Sequence, residues 1–222
     1  MGRVLVSQVI ALLKAAHFGP TVLVVSASLA LSFTQFSIGA ACEIAFAIFC
    51  GQLFVGWTND FVDFSRDKAA GRLNKPLVAG TIKVQTLKVC IYLAFCSAVI
   101  ASLLSPLGLN GSAIHLLGLL SATAYNLKLK ATVLSVVPYM VSFGALPFAI
   151  YVAAGKQPPI WLVLALVLFT CAFHFFNVLK DLETDIKAQV MGLPQVIGRT
   201  KSIFMAVILA SLGILDVSLA LL

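Results

Sequence analysis

Two short acidic clusters hold most of the side chains in this sequence that could take part in catalysis or metal binding. They occupy residues 59–67 and 177–185, and both contain the pattern N-x-x-x-D-x-x-x-D. Apart from Glu43 and Asp216, every acidic residue of the chain lies in one of them. The matching positions are Asn59, Asp63 and Asp67 in the first cluster and Asn177, Asp181 and Asp185 in the second.

The spacing of these carboxylates indicates a bound cation. Side chains four residues apart lie on one face of a helix, one turn from each other. Two like charges placed in this way repel and weaken the helix unless a cation lies between them. Carboxylate and amide oxygens are hard ligands suited to Mg²⁺, which usually keeps water ligands and completes its coordination with substrate phosphate. The clusters therefore predict a Mg²⁺ site that binds a phosphate group.

Basic side chains flank both clusters. Metal together with lysine and arginine around one cavity is the composition expected of a diphosphate site. A bias of basic residues toward one side of a membrane explains the same pattern without any site, so both interpretations stay open for each lysine. The flanking residues are Lys68, Arg72 and Lys75 after the first cluster, Lys180 within the second, and Tyr125, Lys128 and Lys130 elsewhere on the same side.

The elements that position these clusters are long apolar segments. Of the 222 residues, 61% are hydrophobic and only 10% are charged, and the mean hydropathy is +1.06. Soluble domains carry about 25% charged residues, and a helix that crosses a membrane needs about 20 apolar residues. The sequence therefore predicts an all-α membrane helix bundle of about seven transmembrane helices. The predicted spans are residues 16–33, 38–57, 84–104, 111–127, 132–153, 159–178 and 202–222.

The distribution of basic residues predicts the orientation in the membrane. Among the 15 lysines and arginines, Lys156 alone falls in a connection on the opposite side from the rest. The positive-inside rule then predicts that the N-terminus and both long loops, residues 58–83 and 179–201, are cytoplasmic. The net charge of +7 is explained by this bias, and no nucleic-acid partner is expected.

The repeated acidic pattern suggests an internal symmetry. It follows the second and the sixth predicted spans, as expected of two similar halves. We expect these pseudo-repeated halves to surround one central cavity within a single transmembrane domain, residues 1–222. In the sixth span, His174 precedes Asn177 by one helical turn and is interpreted as a hydrogen-bonded packing residue rather than a metal ligand. No role is assigned to His17.

At these residues the sequence resembles the UbiA family of intramembrane prenyltransferases. The resemblance extends from about His17 to the end of the chain. The family's first motif, NDxxDxxxD, is matched by Asn59, Asp60, Asp63 and Asp67, and its second, DxxxD, by Asp181 and Asp185. The downstream positions that look similar are Arg72, Lys75, Pro76 and Gly80 after the first motif and Gly192, Leu193, Pro194 and Gly198 after the second.

The resemblance implies transfer of a polyprenyl group from its diphosphate to a hydrophobic acceptor, which is aromatic in most members. Mg²⁺ and nearby basic residues would neutralise the leaving diphosphate, and the acceptor would attack the allylic cation. The implied metal ligands are Asn59, Asp60, Asp63, Asp67, Asp181 and Asp185. Of these, Asp60 and Asp67 would support the site or bind a second ion. The implied catalytic residues are Asp63, Asp67, Asp181 and Asp185. The implied diphosphate contacts are Arg72, Lys75, Tyr125 and Lys130, and the secondary candidates are Asn177, Glu183, Lys68 and Lys180.

The sequence departs from the family pattern at three points. Family members commonly have about nine helices, whereas seven spans are predicted here. Some members carry a third aspartate in the second motif, where this chain has Gln189. The family usually has a lysine four residues after the tyrosine that corresponds to Tyr125, where this chain has Leu129.

Other functions stay open from the sequence. The acceptor could be a sugar phosphate, with a polyprenyl phosphate as the second substrate, or a chlorophyll-, menaquinone- or haem-type compound. A cation-coupled transporter and a shortened, inactive relative that assembles with partners are the alternatives of a different class. A bacterial cell membrane is the expected location, with an organelle membrane as the alternative.

Overall fold

The computed structural model describes the backbone of residues 2–222 and the side chains from Val6 onward. Within this range the secondary structure is entirely helical, which confirms the all-α prediction. A 3₁₀ turn, Leu129–Ala131, lies between the fifth and sixth helices. The helices are α1 (Gly2–Ala15), α2 (Phe18–Phe33), α3 (Ile38–Ala69), α4 (Val84–Leu104), α5 (Gly108–Leu127), α6 (Val137–Ala153), α7 (Ile160–Val178), α8 (Leu182–Lys187), α9 (Leu193–Ile197) and α10 (Arg199–Ala220).

The chain divides into two compact units, Met1–Ser112 and Ala113–Leu222, with the boundary inside α5. In the first unit α3 packs against α2 and α4, and in the second α7 packs against α6 and α10. Each unit contains one of the two acidic clusters. The single domain expected for residues 1–222 and the pseudo-repeat of its halves stay predictions.

Four helices of the described chain are long and apolar enough to cross a membrane, namely α3, α4, α7 and α10. The helices α1 and α2 are bent by 71° relative to each other, and counting this pair as one span raises the number to 5. The apolar helix α6, at 17 residues, is shorter than a typical span. These helices make the chain an integral membrane protein, and the count of seven spans stays a prediction.

The helix α3 extends well beyond the end predicted for the second span at residue 57. It continues to Ala69, so the first acidic cluster lies on a helix and not in a loop. An ion pair between Arg66 and Asp63, at the favourable i, i+3 spacing, supports this polar extension. The helix ends where Gly71 adopts a positive φ of 65°, a conformation that favours glycine. The predicted placement of Asn59, Asp63 and Asp67 along one helix is therefore confirmed.

The connection between α1 and α2, which we call the elbow (residues 12–21), lies directly against α3. The indole nitrogen of Trp57 donates a hydrogen bond of 2.9 Å to the carbonyl oxygen of Leu12. A Cβ atom added at Gly56 would lie 2.5 Å from the carbonyl oxygen of Ala16. Only a residue without a side chain permits this approach of two backbones.

The segment between α3 and α4 folds back over the same region. Its apolar side chains Leu77 and Ile82 are buried in a core with residues of α1 and α4. Turns within the segment are closed by backbone hydrogen bonds from Lys75 to Arg72 and from Thr81 to Pro76. The segment predicted as a long loop is therefore folded, and the basic residues that it carries have defined positions. The remaining buried members of this core are Ala11, Ala15 and Leu87.

The second acidic cluster does not lie on one continuous helix, which corrects the single-face geometry expected from its spacing. The helix α7 ends at Val178, and α8 begins at Leu182. The amide of Asp181 donates to the carbonyl of Val178 over 3.1 Å, a three-residue hydrogen bond that tightens the chain at the end of α7. The Arg199 guanidinium donates a 3.0 Å hydrogen bond to the carbonyl of Leu179, which the break leaves without a helical partner.

Candidate active site

The three aspartates of the first motif are buried at the polar end of α3. Asp60, Asp63 and Asp67 are 3%, 8% and 2% exposed, respectively. Buried carboxylates are costly unless they are paired with cations or hydrogen-bond donors. Their burial therefore requires partners, and the structure provides a cationic partner for each one. The pairs are Lys75 with Asp60 at 2.5 Å, Arg66 with Asp63 at 2.7 Å and Arg72 with Asp67 at 3.3 Å.

Two of these cations, Arg72 and Lys75, are the residues predicted to contact diphosphate in this half of the chain. The folded segment after α3 brings both of them to the carboxylates of the first motif. Arg66 was not among the predicted site residues. Its position within the motif, three residues after Asp63, is the pattern from which its role could have been predicted.

Asp60 has a second partner that the sequence did not predict. The Nε2 atom of His17, in the elbow, lies 3.1 Å from Asp60 Oδ1, the same oxygen that Lys75 contacts. The other oxygen, Oδ2, is buried and has no hydrogen-bond partner within the described residues. His17 and Asp60 are 43 residues apart in the chain, so no local pattern could have revealed the contact.

The other predicted residues of the first unit lie closer to solvent or lipid. Lys68 is exposed, and its ammonium group lies 6.0 Å from the centre of the Phe64 ring. Asn59 is half-buried on α3, one turn before Asp63. Among the described residues, Lys68 therefore lies beside the motif and outside its ion pairs.

The second motif is more open than the first. Asp181 precedes the first turn of α8, and both Asp181 and Asp185 are half-buried. The side-chain amide of Gln195, in α9, donates a 3.0 Å hydrogen bond to Asp185 Oδ2. Gln195 was not predicted, because the contact depends on the fold of the segment after α8. The secondary candidates Glu183 and Lys180 are exposed, and Asn177 is half-buried near the end of α7.

Tyr125 and Lys130 lie in the same unit as the second motif. Tyr125 makes edge-on ring contacts with Tyr139 and His174, with ring centres 5.3 Å and 5.9 Å apart. Lys130 belongs to the 3₁₀ turn, whose backbone closely approaches Gly192. A Cβ atom added at Gly192 would lie 2.7 Å from the carbonyl oxygen of Lys130.

A buried hydroxyl group connects these parts of the second unit. The Oγ atom of Ser135 accepts a 3.0 Å hydrogen bond from the amide of Leu193 and lies 3.2 Å from His174 Nε2. His174 is 1% exposed, in keeping with its interpretation as a hydrogen-bonded packing residue. Ser135 lies in the connection that follows the 3₁₀ turn of Lys130, and it joins this connection to the segment that carries Gln195.

The donor atoms of the first motif fit Mg²⁺. Within the described residues, no three histidine, cysteine, aspartate or glutamate side chains form a preassembled metal-binding group. Mg²⁺ does not need such a cage, because it usually binds one or two carboxylates together with water and substrate phosphate. Oδ2 of Asp60, which has no hydrogen-bond partner among the described residues, offers a hard oxygen ligand of the required kind, and the preceding residue on α3, Asn59, carries an amide oxygen.

The model of the UbiA prenyltransferase family matches residues 3–222. The chain belongs to this family. Both acidic clusters lie inside the match. No curated protein matches the chain.

Solved structures of UbiA proteins share the fold. A UbiA homolog from Archaeoglobus fulgidus bound to GPP and Mg²⁺ has a TM-score of 0.79 and 15% identity, covering 93% of this chain and 76% of that one. A UbiA homolog from Archaeoglobus fulgidus bound to DMAPP and Mg²⁺ has a TM-score of 0.75 and 16% identity, covering 93% of this chain and 75% of that one. A structure concerning digeranylgeranylglyceryl phosphate synthase has a TM-score of 0.68 and 17% identity, covering 94% of this chain and 76% of that one. At these identities the likeness shows the fold.

Proposed function

We propose that this UbiA protein is a Mg²⁺-dependent membrane prenyltransferase that moves a polyprenyl group from its diphosphate to an aromatic acceptor. The observation that carries the proposal is the first motif, in which three buried aspartates are matched by Lys75, Arg72 and Arg66. Such a group of alternating charges is suited to a ligand that combines a divalent cation with a polyanion.

Residues of both motifs are assigned to the metal and the leaving group. When bound, Mg²⁺ would neutralise the negative charge that develops on the diphosphate. Arg72 and Lys75 would exchange their carboxylate partners for phosphate oxygens, while the carboxylates of the motif take the metal. In the second unit, Lys130 would contact the diphosphate, with Tyr125 nearby. The assigned metal ligands are Asn59, Asp60, Asp63, Asp67, Asp181 and Asp185.

The reaction requires only ionisation and capture. The C–O bond of the donor breaks, and the diphosphate leaves with the electron pair. A ring carbon of the acceptor bonds to the allylic cation, and the ring then loses a proton to solvent. No covalent intermediate on the protein is needed, so the work of the chain is to bind, orient and neutralise charge.

The relatives support the choice of donor and metal. The Archaeoglobus fulgidus homolog has been solved with GPP and Mg²⁺ and with DMAPP and Mg²⁺, which are a metal and prenyl diphosphates of the proposed kind. The name of digeranylgeranylglyceryl phosphate synthase indicates an acceptor that is not aromatic. A test of acceptors therefore has to include a glyceryl phosphate beside the aromatic compounds.

The activity is tested by release of pyrophosphate from geranylgeranyl diphosphate by the purified chain in lipid vesicles. The assay contains a panel of aromatic acceptors, a glyceryl phosphate and a sugar phosphate, each with Mg²⁺ or with EDTA. We expect release that requires Mg²⁺ and one class of acceptor, together with a prenylated product detected by mass spectrometry. Folded protein that releases no pyrophosphate with any acceptor would contradict the proposal.

Replacing Lys75 by methionine tests its assignment to the diphosphate. Hydrogen bonds to charged groups contribute about 1.5–3 kcal/mol, so we expect the KM for the donor to rise about 10- to 100-fold with a smaller change in kcat. Arg72→Met should behave in the same way. The control is Lys83→Met, an exposed lysine at the start of α4, which should leave both constants unchanged. Equal effects of Lys83→Met and Lys75→Met would contradict the assignment.

The hydrogen bond from Gln195 to Asp185 predicts a role in orienting the second motif. We expect Gln195→Leu to raise the Mg²⁺ concentration for half-maximal activity about tenfold, the usual scale for the loss of a group that orients a metal ligand. Gln157→Leu is the matched control, since Gln157 is exposed in the connection between α6 and α7 and belongs to neither motif. A Gln195→Leu variant that is folded and has an unchanged Mg²⁺ requirement would refute this role.

We also propose that the N-terminus and both motifs face the cytoplasm. Support comes from the distribution of the basic residues, because Lys156 alone falls in a connection on the side opposite to the motifs. In a chain whose five cysteines are replaced by serine, Lys156→Cys should react with a membrane-impermeant thiol reagent on intact cells. Lys187→Cys should react only after the membrane is permeabilised. The reverse pattern would overturn the orientation.

A further inference from the structure

The backbone of His17 is held in an unfavourable conformation. At the N-cap of α2 it has φ 54° and ψ 59°, the left-handed region that residues with a Cβ atom rarely adopt. Glycine would adopt this conformation without cost. The His17 side chain is 39% exposed, so burial of the ring does not explain why a histidine stands here. Strained residues cluster at functional sites, so the contacts of the His17 side chain are the next question.

The elbow fixes the position of His17 relative to α3. On the N-terminal side, the carbonyl of Leu12 accepts the hydrogen bond of Trp57, and Ala16 lies against Gly56. The hydroxyl group of Thr21 donates a 2.8 Å hydrogen bond back to the carbonyl of Ala16. Gly56 is one helical turn before Asp60, so the closest backbone contact of the elbow lies directly below the carboxylate that the imidazole contacts.

The two donors on Asp60 Oδ1 differ in what the proposed function requires of them. Lys75 is a flexible cation, and the proposed function has it move to the diphosphate. His17 belongs to the docked elbow and can stay in place. The contact from His17 Nε2 to Oδ1, at 3.1 Å, then holds the carboxyl group, while Oδ2 has no hydrogen-bond partner in the part of the chain that the structure describes.

We propose that His17 is a positioning residue, which holds Asp60 through Oδ1 and so presents Oδ2 to the metal. This inference rests on the proposed Mg²⁺ site. An ionised carboxylate only accepts hydrogen bonds, so Nε2 is the donor atom in this contact. The elbow thereby becomes part of the metal site, although it contains no acidic residue.

Binding of Mn²⁺ in place of Mg²⁺ tests the inference without any turnover. The chain has two tryptophans, and a Trp161→Phe background leaves Trp57, three residues before Asp60 on α3, as the only one. Paramagnetic Mn²⁺ bound at the motif should quench its emission in a saturable way. The emission spectrum before metal is added reports whether the elbow is still docked, because the indole nitrogen of Trp57 donates a hydrogen bond to the carbonyl oxygen of Leu12.

Three variants separate positioning from simple packing. His17→Phe keeps a ring but cannot donate, and we expect it to need about 10- to 100-fold more Mn²⁺ for half-maximal quenching. His17→Gln keeps an N–H donor and should stay within about threefold of the parent. His17→Gly relieves the backbone strain and loses the donor, so it should bind Mn²⁺ as weakly as His17→Phe while being at least as stable.

The outcomes that would overturn the inference are distinct from those that would overturn the proposed function. If His17→Phe titrates like the parent, or if His17→Gln is as weak as His17→Phe, His17 does not position Asp60. If the metal-free emission of His17→Phe is shifted and its weak binding follows from an undocked elbow, the role is structural. If the parent shows no saturable quenching, the metal site itself fails and the inference fails with it.

Discussion

Substitution of Asp63 or Asp181 by asparagine is expected to lower Mg²⁺-dependent release of pyrophosphate by about 10²- to 10³-fold, the usual effect of removing one group that stabilises charge in a transition state. Asparagine has the shape of aspartate but no charge, so the loss reports electrostatics rather than a cavity. Asp63→Asn also leaves the half-buried Arg66 without its carboxylate partner at 2.7 Å. The measurement is the initial rate of release over a Mg²⁺ titration.

Two matched variants control for the general loss of acidic residues. Glu43→Gln removes an exposed acid from the same helix, α3, and Asp216→Asn removes an acid from α10 in the second unit. Neither residue belongs to a motif, and both variants should release pyrophosphate at the parental rate. If Asp63→Asn and Asp181→Asn are folded and are no slower than these controls, the motifs do not bind the metal and diphosphate.

Substitution of Gly56 by alanine is expected to destabilise the first unit and to displace the elbow. The new Cβ atom would lie 2.5 Å from the carbonyl oxygen of Ala16 and 2.9 Å from its Cα, and neither backbone atom can move without the elbow. Overpacking of this kind typically costs about 1–3 kcal/mol. We expect a lower midpoint of thermal unfolding in detergent and a shift in the emission of Trp57.

Gly39→Ala is the control for this variant, because Gly39 lies on the same helix with nothing within 4 Å of its added Cβ atom. Alanine favours a helix over glycine by about 1 kcal/mol, so Gly39→Ala should be as stable as the parent or more stable. A Gly56→Ala variant that matches Gly39→Ala in stability would show that the close approach of the elbow to α3 does not exist in solution.

The helical architecture could be predicted from the sequence because a membrane imposes it. Backbone groups in hydrocarbon must be satisfied within their own segment, so long apolar runs become helices. The predicted spans at residues 84–104 and 159–178 agree closely with α4 and α7. The number of helices that cross the membrane was less accessible, because α1 and α2 meet at a bend and α6 is short.

The ends of helices that carry charge were predicted less well. Hydropathy placed the end of α3 at residue 57, but ion pairs between neighbouring turns support a polar helix as far as Ala69. At the second motif the same four-residue spacing is interrupted after Val178. Equal spacing in the sequence therefore did not guarantee equal geometry, since the hydrogen bond from Arg199 that accommodates the break comes from a distant helix.

The acidic residues of the candidate site could be predicted, but the groups that orient them could not. Asp60, Asp63 and Asp67 stand out because acids are rare in this chain. The side chains of His17 and Gln195 contact carboxylates of the motifs. His17 is positioned by the elbow, and Gln195 is positioned by the segment after α8. Such contacts follow from tertiary packing, and neither residue type nor local spacing distinguishes them beforehand.

The most direct test of the Mg²⁺ and diphosphate assignment is binding of a thio-substituted, slowly ionising analogue of geranylgeranyl diphosphate by the purified chain in lipid. This measurement does not depend on the acceptor. We predict saturable binding that requires Mg²⁺, is abolished by EDTA and is weakened in Asp63→Asn and in Asp181→Asn but not in Glu43→Gln. Folded protein that binds the analogue equally well without Mg²⁺, or that does not bind it at all, would contradict the assignment of the motifs to Mg²⁺ and diphosphate.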